Sequence, residues 1–161
     1  MYLIDSDVLI NAKNFHYAFE LAPGFWQWMT QAHLDGRVFT VQAVVDEILG
    51  GGDDLSTWTA EQPDTFKLKP QAKDTPSLQQ VSEWAVGADY RQGAAETFLD
   101  AADYFLVSQA LSLGYTVITN EKPAPQGVTR IKIPDACDAL SVPWMSLFQM
   151  LKAEGARFGL A

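Results

Sequence analysis

Two carboxylates, Asp5 and Asp7, stand two residues apart directly after the apolar run Tyr2-Leu3-Ile4. In extended backbone, side chains two apart point to the same side. Two carboxylate charges about 4 Å apart repel by roughly 4 kcal/mol at an effective dielectric of 20. A fold tolerates such a pair when a divalent cation sits between them, or when one acid stays protonated. The alternative use is capping, in which one Asp accepts an N–H of a helix starting near Val8. Capping accounts for one acid and leaves the other without a role.

Other acids can be weighed against the same question. Over 94–113, Phe98, Leu99, Ala102, Phe105, Leu106 and Leu113 share one face at helical spacing. Asp103 lies at the edge of that face and Asp100 nearly opposite its centre. Asp103 is therefore the acid expected to face an interior cleft, where a carboxylate needs a partner. On 42–49 the apolar face is Val44, Val45, Ile48 and Leu49, and Asp46 and Glu47 flank it symmetrically, so periodicity does not choose between them. Glu121 follows Thr119-Asn120 after an apolar strand, in what also reads as a polar turn before Pro123.

The elements that must position these acids follow from the pattern. Strands are expected at 2–4, 37–41, 65–69, 115–119 and 129–133, with an extended piece near 142–145. Helices are expected at 8–20, 24–34, 42–49, 55–61, 77–91 and 94–113, then from Asp135 and over 146–156. Gly50-Gly51-Gly52 lacks a following Gly-Lys-Ser/Thr and reads as a helix stop or hinge, not a phosphate loop. Strands separated by helices predict a three-layer α/β/α sandwich with a mainly parallel sheet, in a single domain spanning 1–161. Ligands of such sheets bind at the carboxyl ends of the strands, near the point where strand order reverses. That rule selects Asp5 to Asp7 and Asn120 to Glu121.

Composition narrows the classes. With 48% hydrophobic residues the 161-residue chain can bury a core without a disulfide or structural metal. The single cysteine, Cys137, excludes an intrachain disulfide and a Cys-based zinc site. Two histidines, His16 and His33, are too few and too far apart for a helical zinc motif. A net charge of −9 argues against a passive nucleic-acid coat, but not against an enzyme that meets phosphate through a bound cation. No apolar run approaches the ~20 residues of a membrane helix, and Asp5 interrupts the first apolar run before a secretory signal forms. The expectation is a soluble, cytoplasmic protein.

In order along the chain, YLIDSDVLI, FTVQAVVDEIL and FLDAADYFLVSQALSLGYTVITNE resemble the PIN-domain nucleases, including the toxins of VapC-like toxin–antitoxin pairs. The tail IKIPDACDALSVPWMSLFQML resembles one subfamily of uncharacterised, toxin-like PIN proteins. The resemblance implies Mg²⁺ or Mn²⁺ held by Asp5, Glu47, Asp103 and Glu121, which are also the catalytic set, and so prefers Glu47 to Asp46. Ser6, Asp7, Asp100, Thr119 and Asn120 would support them. Asp7 falls where the family often has Asn or a small polar residue, and Glu121 replaces a usual Asp. The implied activity is metal-dependent hydrolysis of RNA phosphodiester bonds, with Lys13, Arg91 and Lys122 as candidate phosphate contacts. A cognate antitoxin and a homodimer are the implied protein partners.

Two rivals stand beside this reading. Haloacid-dehalogenase-type phosphohydrolases also begin hydrophobic-Asp-x-Asp, but there the Ser/Thr-ended strand and the Lys precede a late acidic pair. Here Asp100 and Asp103 precede Thr119 and Lys122. The other rival is a PIN scaffold without catalysis that serves as a binding module.

Overall fold

The run Tyr2–Ile4 forms β1, the middle strand of a five-stranded sheet in a computed structural model that describes residues 1–159. Its neighbours are β2 (Val38–Val41) on one side and β4 (Thr116–Ile118) on the other. The edges are β3 (Lys67–Leu68) and β5 (Trp144–Met145), giving the order β3-β2-β1-β4-β5 with every pairing parallel. Parallel strands covered on both faces need apolar side chains throughout. Leu3, Ile4, Val38, Val41, Val117 and Ile118 accordingly have no exposed surface.

Nine α-helices among the described residues complete the three-layer α/β/α sandwich. They are α1 (Ser6–Asn11), α2 (Pro23–Leu34), α3 (Gln42–Leu49), α4 (Asp54–Glu61), α5 (Thr75–Gly87), α6 (Ala94–Asp100), α7 (Ala102–Leu113), α8 (Ile133–Ala139) and α9 (Leu147–Ala153). Helix α7 packs against α3, α5, α6 and β2 and so ties several helices to the sheet. None of the helices is long and apolar enough to cross a membrane.

Four expectations need correction. The helix expected over 8–20 starts at Ser6 and gives way after Asn11 to a π-helical turn, Ala12–His16. The helix expected over 94–113 is two helices, separated at Ala101, whose backbone is extended at φ −94°, ψ 163°. This break puts Asp103 in the first turn of α7 rather than in the middle of a long helix.

The strand expected over 129–133 does not form. Ile131 and Ile133 are buried as alternation demands, but the place beside β4 is occupied by β5, with Val117 opposite Trp144 and Ile118 opposite Met145. The segment instead runs as a loop into α8, whose Pro134 sits in the first helical turn, where its missing N–H costs nothing. Residues 65–69 shrink likewise to the two-residue β3, preceded by a 3₁₀ turn at Asp64–Phe66.

Candidate active site

The strand order reverses at β1, since β2 leaves on one side and β4 on the other. The carboxyl ends of β1 and β4 therefore flank the topological switch point, where open α/β sheets bind ligands. The residues there are Asp5, directly after β1, and Thr119, directly after β4. The Asp5 N–H donates to the Ile118 carbonyl at 3.0 Å, which locks the two strand ends together.

Asp5 is only 3% exposed. It occupies the N-cap position of α1 with an extended backbone, yet its side chain accepts no N–H from that helix. The capping role considered from the sequence is therefore not the one Asp5 performs. Its carboxylate accepts instead from the Thr119 hydroxyl at 3.2 Å. That hydroxyl accepts in turn from the Glu121 N–H at 3.1 Å, so Thr119 links two acidic residues.

Burial pushes the Asp5 carboxyl up to about 8, and the charges of Asp103, Asp7 and Glu121 add to the rise. The Thr119 hydrogen bond opposes the rise without cancelling it. Asp103 rises to about 6, first through burial, then through Glu121, with smaller contributions from Glu47 and Asp7. The Arg130 guanidinium pulls it partly back. Five acids from four stretches of the chain, Asp5, Asp7, Glu47, Asp103 and Glu121, are thus linked through their charges to Asp5 or Asp103.

The elements explain the arrangement. Asp7 is exposed in the first turn of α1, and Asp103 lies in the first turn of α7, both where a helix favours negative charge. On α3, Asp46 is engaged by its own helix, accepting from Gln42 Nε2 at 2.6 Å. Glu47 is the α3 acid whose charge Asp103 feels, which separates two residues that periodicity left equivalent.

The remaining expected residues divide. Ser6 is buried at the start of α1. Asn120 accepts from the Leu147 N–H at 3.3 Å and so anchors the start of α9. Asp100 is exposed at the end of α6. Lys13 is turned to Asp53, which caps α4 through the Ser56 N–H, so it is committed away from the acids. Arg91 and Lys122 are exposed, and no ion pair joins either to a carboxylate among the described residues.

The cation that does meet the cluster is Arg130, which sequence reasoning missed. Its Nη2 lies 3.0 Å from Glu121 Oε1. Glu121 Oε2 accepts the Ile133 N–H at 2.8 Å, so both of its oxygens are engaged between the arginine and the start of α8. Asp135 fastens the same loop, accepting from the Ala124 N–H through both oxygens at 2.9 and 3.2 Å. No signal in the sequence singled out Arg130, because TRIKI reads as a strand.

A divalent cation suits the donors but not their present grouping. The set is entirely carboxylate oxygen, the hard ligand type that Mg²⁺ and Mn²⁺ prefer. Asp5 is a deeply buried acid with like charges around it, the situation a bound cation relieves. Among the described residues, however, no three His, Cys, Asp or Glu side chains are gathered closely enough to hold an ion as they stand. Glu121 in particular would have to leave Arg130 to join.

The fold is an α/β/α domain with the buried Asp5 at the switch point of a parallel sheet. Residues 2–158 match the family model described as Domain of unknown function (DUF4411), and the chain belongs to that family. No curated protein and no solved structure matches it.

Proposed function

We propose that this protein is a metal-dependent ribonuclease that hydrolyses RNA phosphodiester bonds with Mg²⁺ or Mn²⁺. The observation that carries the reading is Asp5: a carboxylate 3% exposed, raised to about 8, with its acidic neighbours at the switch point of the sheet. Keeping such an acid costs stability, and perturbed carboxylates of this kind cluster at functional sites.

In this reading Asp5, Glu47, Asp103 and Glu121 would hold the cation, Glu121 only once free of Arg130. A bound divalent cation supplies charge neutralisation at phosphate and a lowered pKa for water. The protein's own groups do the rest. Thr119 orients the Asp5 carboxylate, burial keeps bulk water from it, and Arg130 offers a guanidinium to phosphate oxygens. The resemblance to toxins of toxin–antitoxin pairs extends the proposal to a cellular role: a cytoplasmic toxin, acting as a homodimer and held in check by a cognate antitoxin protein.

The test is cleavage of RNA by purified protein in Mg²⁺ or Mn²⁺, free of any co-purified inhibitor, compared with Asp5→Asn and Asp103→Asn. Cleavage that needs the metal and both carboxylates supports the proposal. Equal cleavage by wild type and Asp5→Asn would sink it.

A second reading is a scaffold that binds RNA or a partner without catalysis. It is favoured by the engagement of both Glu121 oxygens by Arg130 and the Ile133 N–H, which withholds one acid from any ion. Absence of metal-dependent cleavage in the same assay, with RNA still bound, selects it.

A further inference from the structure

We propose that the cavity beside Asp103 is a nucleotide subsite, with Arg130 as the residue that holds the nucleotide's phosphate. This rests on the ribonuclease reading for its place in catalysis, but its binding chemistry stands on the cavity itself. The cavity is about 460 Å³ and lies between the start of α6 and the loop that carries Thr129 and Arg130. That volume falls within the roughly 300–1,000 Å³ typical of small-molecule sites.

Its lining has two kinds of surface. Phe98, Ala101 and Ile131 are apolar; Phe98 and Ile131 are almost fully buried and back the wall, and Ala101 gives its accessible part. Gln92, Thr97 and Thr129 are exposed and bring an amide and two hydroxyls. A nucleobase has the matching pair of surfaces, an apolar face and a polar edge. Recognition of unstacked RNA bases relies on both.

The charged end fixes the orientation. Asp103 and Arg130 both line the cavity, and Arg130 is the one Lys or Arg that does. A base on the Ala101 side of the cavity has its phosphate directed to Arg130, beside Asp103. Arg130 is free to turn: its side chain is 55% exposed, and it holds Glu121 through one nitrogen, Nη2. The pair is open to water on the arginine's side only, the Glu121 side chain being 9% exposed, and a phosphate takes two parallel donors from an arginine where Glu121 takes one. When Arg130 turns to phosphate, Glu121 Oε1 loses that partner and becomes available to the acid cluster. Nucleotide binding and completion of the acidic site are thereby coupled through one arginine.

The experiment is amide NMR of the full chain, titrated with each of the four ribonucleoside 5′-monophosphates, with and without Mg²⁺. These ligands carry no phosphodiester bond, so the readout does not depend on cleavage. At least one nucleotide is expected to move the amide signals of Gln92, Gly93, Thr97 and Thr129. Arg130→Ala should weaken that binding about tenfold, the loss of one charge-assisted contact. Thr97→Trp, at an exposed position, should fill the cavity and abolish it, and a preserved spectrum elsewhere shows that the fold is intact. The proposal is overturned if no nucleotide shifts these signals in either condition, or if the shifts survive both substitutions. Cleavage without binding here removes the subsite and leaves the nuclease. Binding here without cleavage removes the nuclease and leaves the subsite.

Discussion

The two ends of the same sheet treat acidic residues in opposite ways. At the amino end, Glu154 accepts from the Tyr2 hydroxyl at 2.7 Å and from Arg37 Nη1 at 2.6 Å. Those two bonds hold its carboxyl below the usual range. At the carboxyl end, Asp5 has one hydroxyl for a partner and acids for neighbours, and its carboxyl is pushed up to about 8. Both acids sit against β1 or its flanks, so strand position alone does not explain the contrast. What differs is burial first and the partner second: Asp5 is taken out of water among like charges, whereas Glu154 meets an arginine and a phenol. A paired acid serves the fold. A buried acid left among like charges serves the fold badly and implies a ligand.

The largest effect should come from breaking the carboxyl end. On the proposed function, Asp5→Asn should lower metal-dependent RNA cleavage by at least about 100-fold, since it removes a direct metal ligand. Glu154→Gln, at the far end, should leave the cleavage rate within about twofold, because the site and its electrostatics are untouched. Both are read as initial rates on the same RNA. A comparable loss in the two variants would dissolve the distinction between the ends.

Stability should change in the reverse sense. Asp5 binds its proton more tightly folded than unfolded, where its ordinary value is 3.8. Its contribution is thus present at low pH and is lost as pH rises toward about 8. Asp103 behaves likewise up to about 6. In EDTA, Asp5→Asn should therefore be more stable than wild type at pH 8 and show no such gain near pH 4. Mg²⁺ should stabilise wild type at the higher pH and leave Asp5→Asn much less affected. Denaturant unfolding at the two pH values, with and without Mg²⁺, measures all of this.

Glu154 has the opposite slope. Its folded value is depressed, so its contribution is present above the ordinary glutamate value of 4.5 and fades as pH falls. Glu154→Gln should cost about 1 kcal/mol at neutral pH, discounted because Arg37 is about one-third exposed, and almost nothing in acid. The pair of variants thus gives crossing pH profiles, which a general effect of net charge would not produce.

The sequence made part of this legible. The acid after β1 and the parallel order follow from short apolar runs separated by helices, signals that are local in the chain. The wheel placed Asp103 toward the interior, although it assumed one helix where there are two. Asp103 is half-buried in the first turn of the second of these helices. Glu47 and Asp46 were equivalent by periodicity, and only a distant acid, Asp103, and a nearby amide, Gln42, separate them. Arg130 was invisible for the same kind of reason. Ile131 and Ile133 alternate and are buried as a strand's would be, but whether a strand forms depends on β5 occupying the place beside β4. Competition for a sheet edge leaves no mark on the five residues that lose it.

The smallest expected effect tests whether Thr119 belongs to the site or to the fold. Two threonine hydroxyls with no exposed surface lie near the end of β1. Thr40 Oγ1 donates to the Ile4 carbonyl at 2.7 Å, and Thr119 Oγ1 donates to Asp5 at 3.2 Å. Replacing either by Val keeps the shape and removes one buried hydroxyl, so each should cost about 1 kcal/mol. Their effects on Asp5 should differ. The Thr119 bond is the one influence that lowers the Asp5 carboxyl, so Thr119→Val should raise it further, while Thr40→Val should leave it in place. Carboxyl NMR titration of Asp5 in the two variants reads this directly. If both variants move Asp5 alike, the hydroxyl of Thr119 is packing rather than a positioning group, and the acid is set by burial and its charged neighbours.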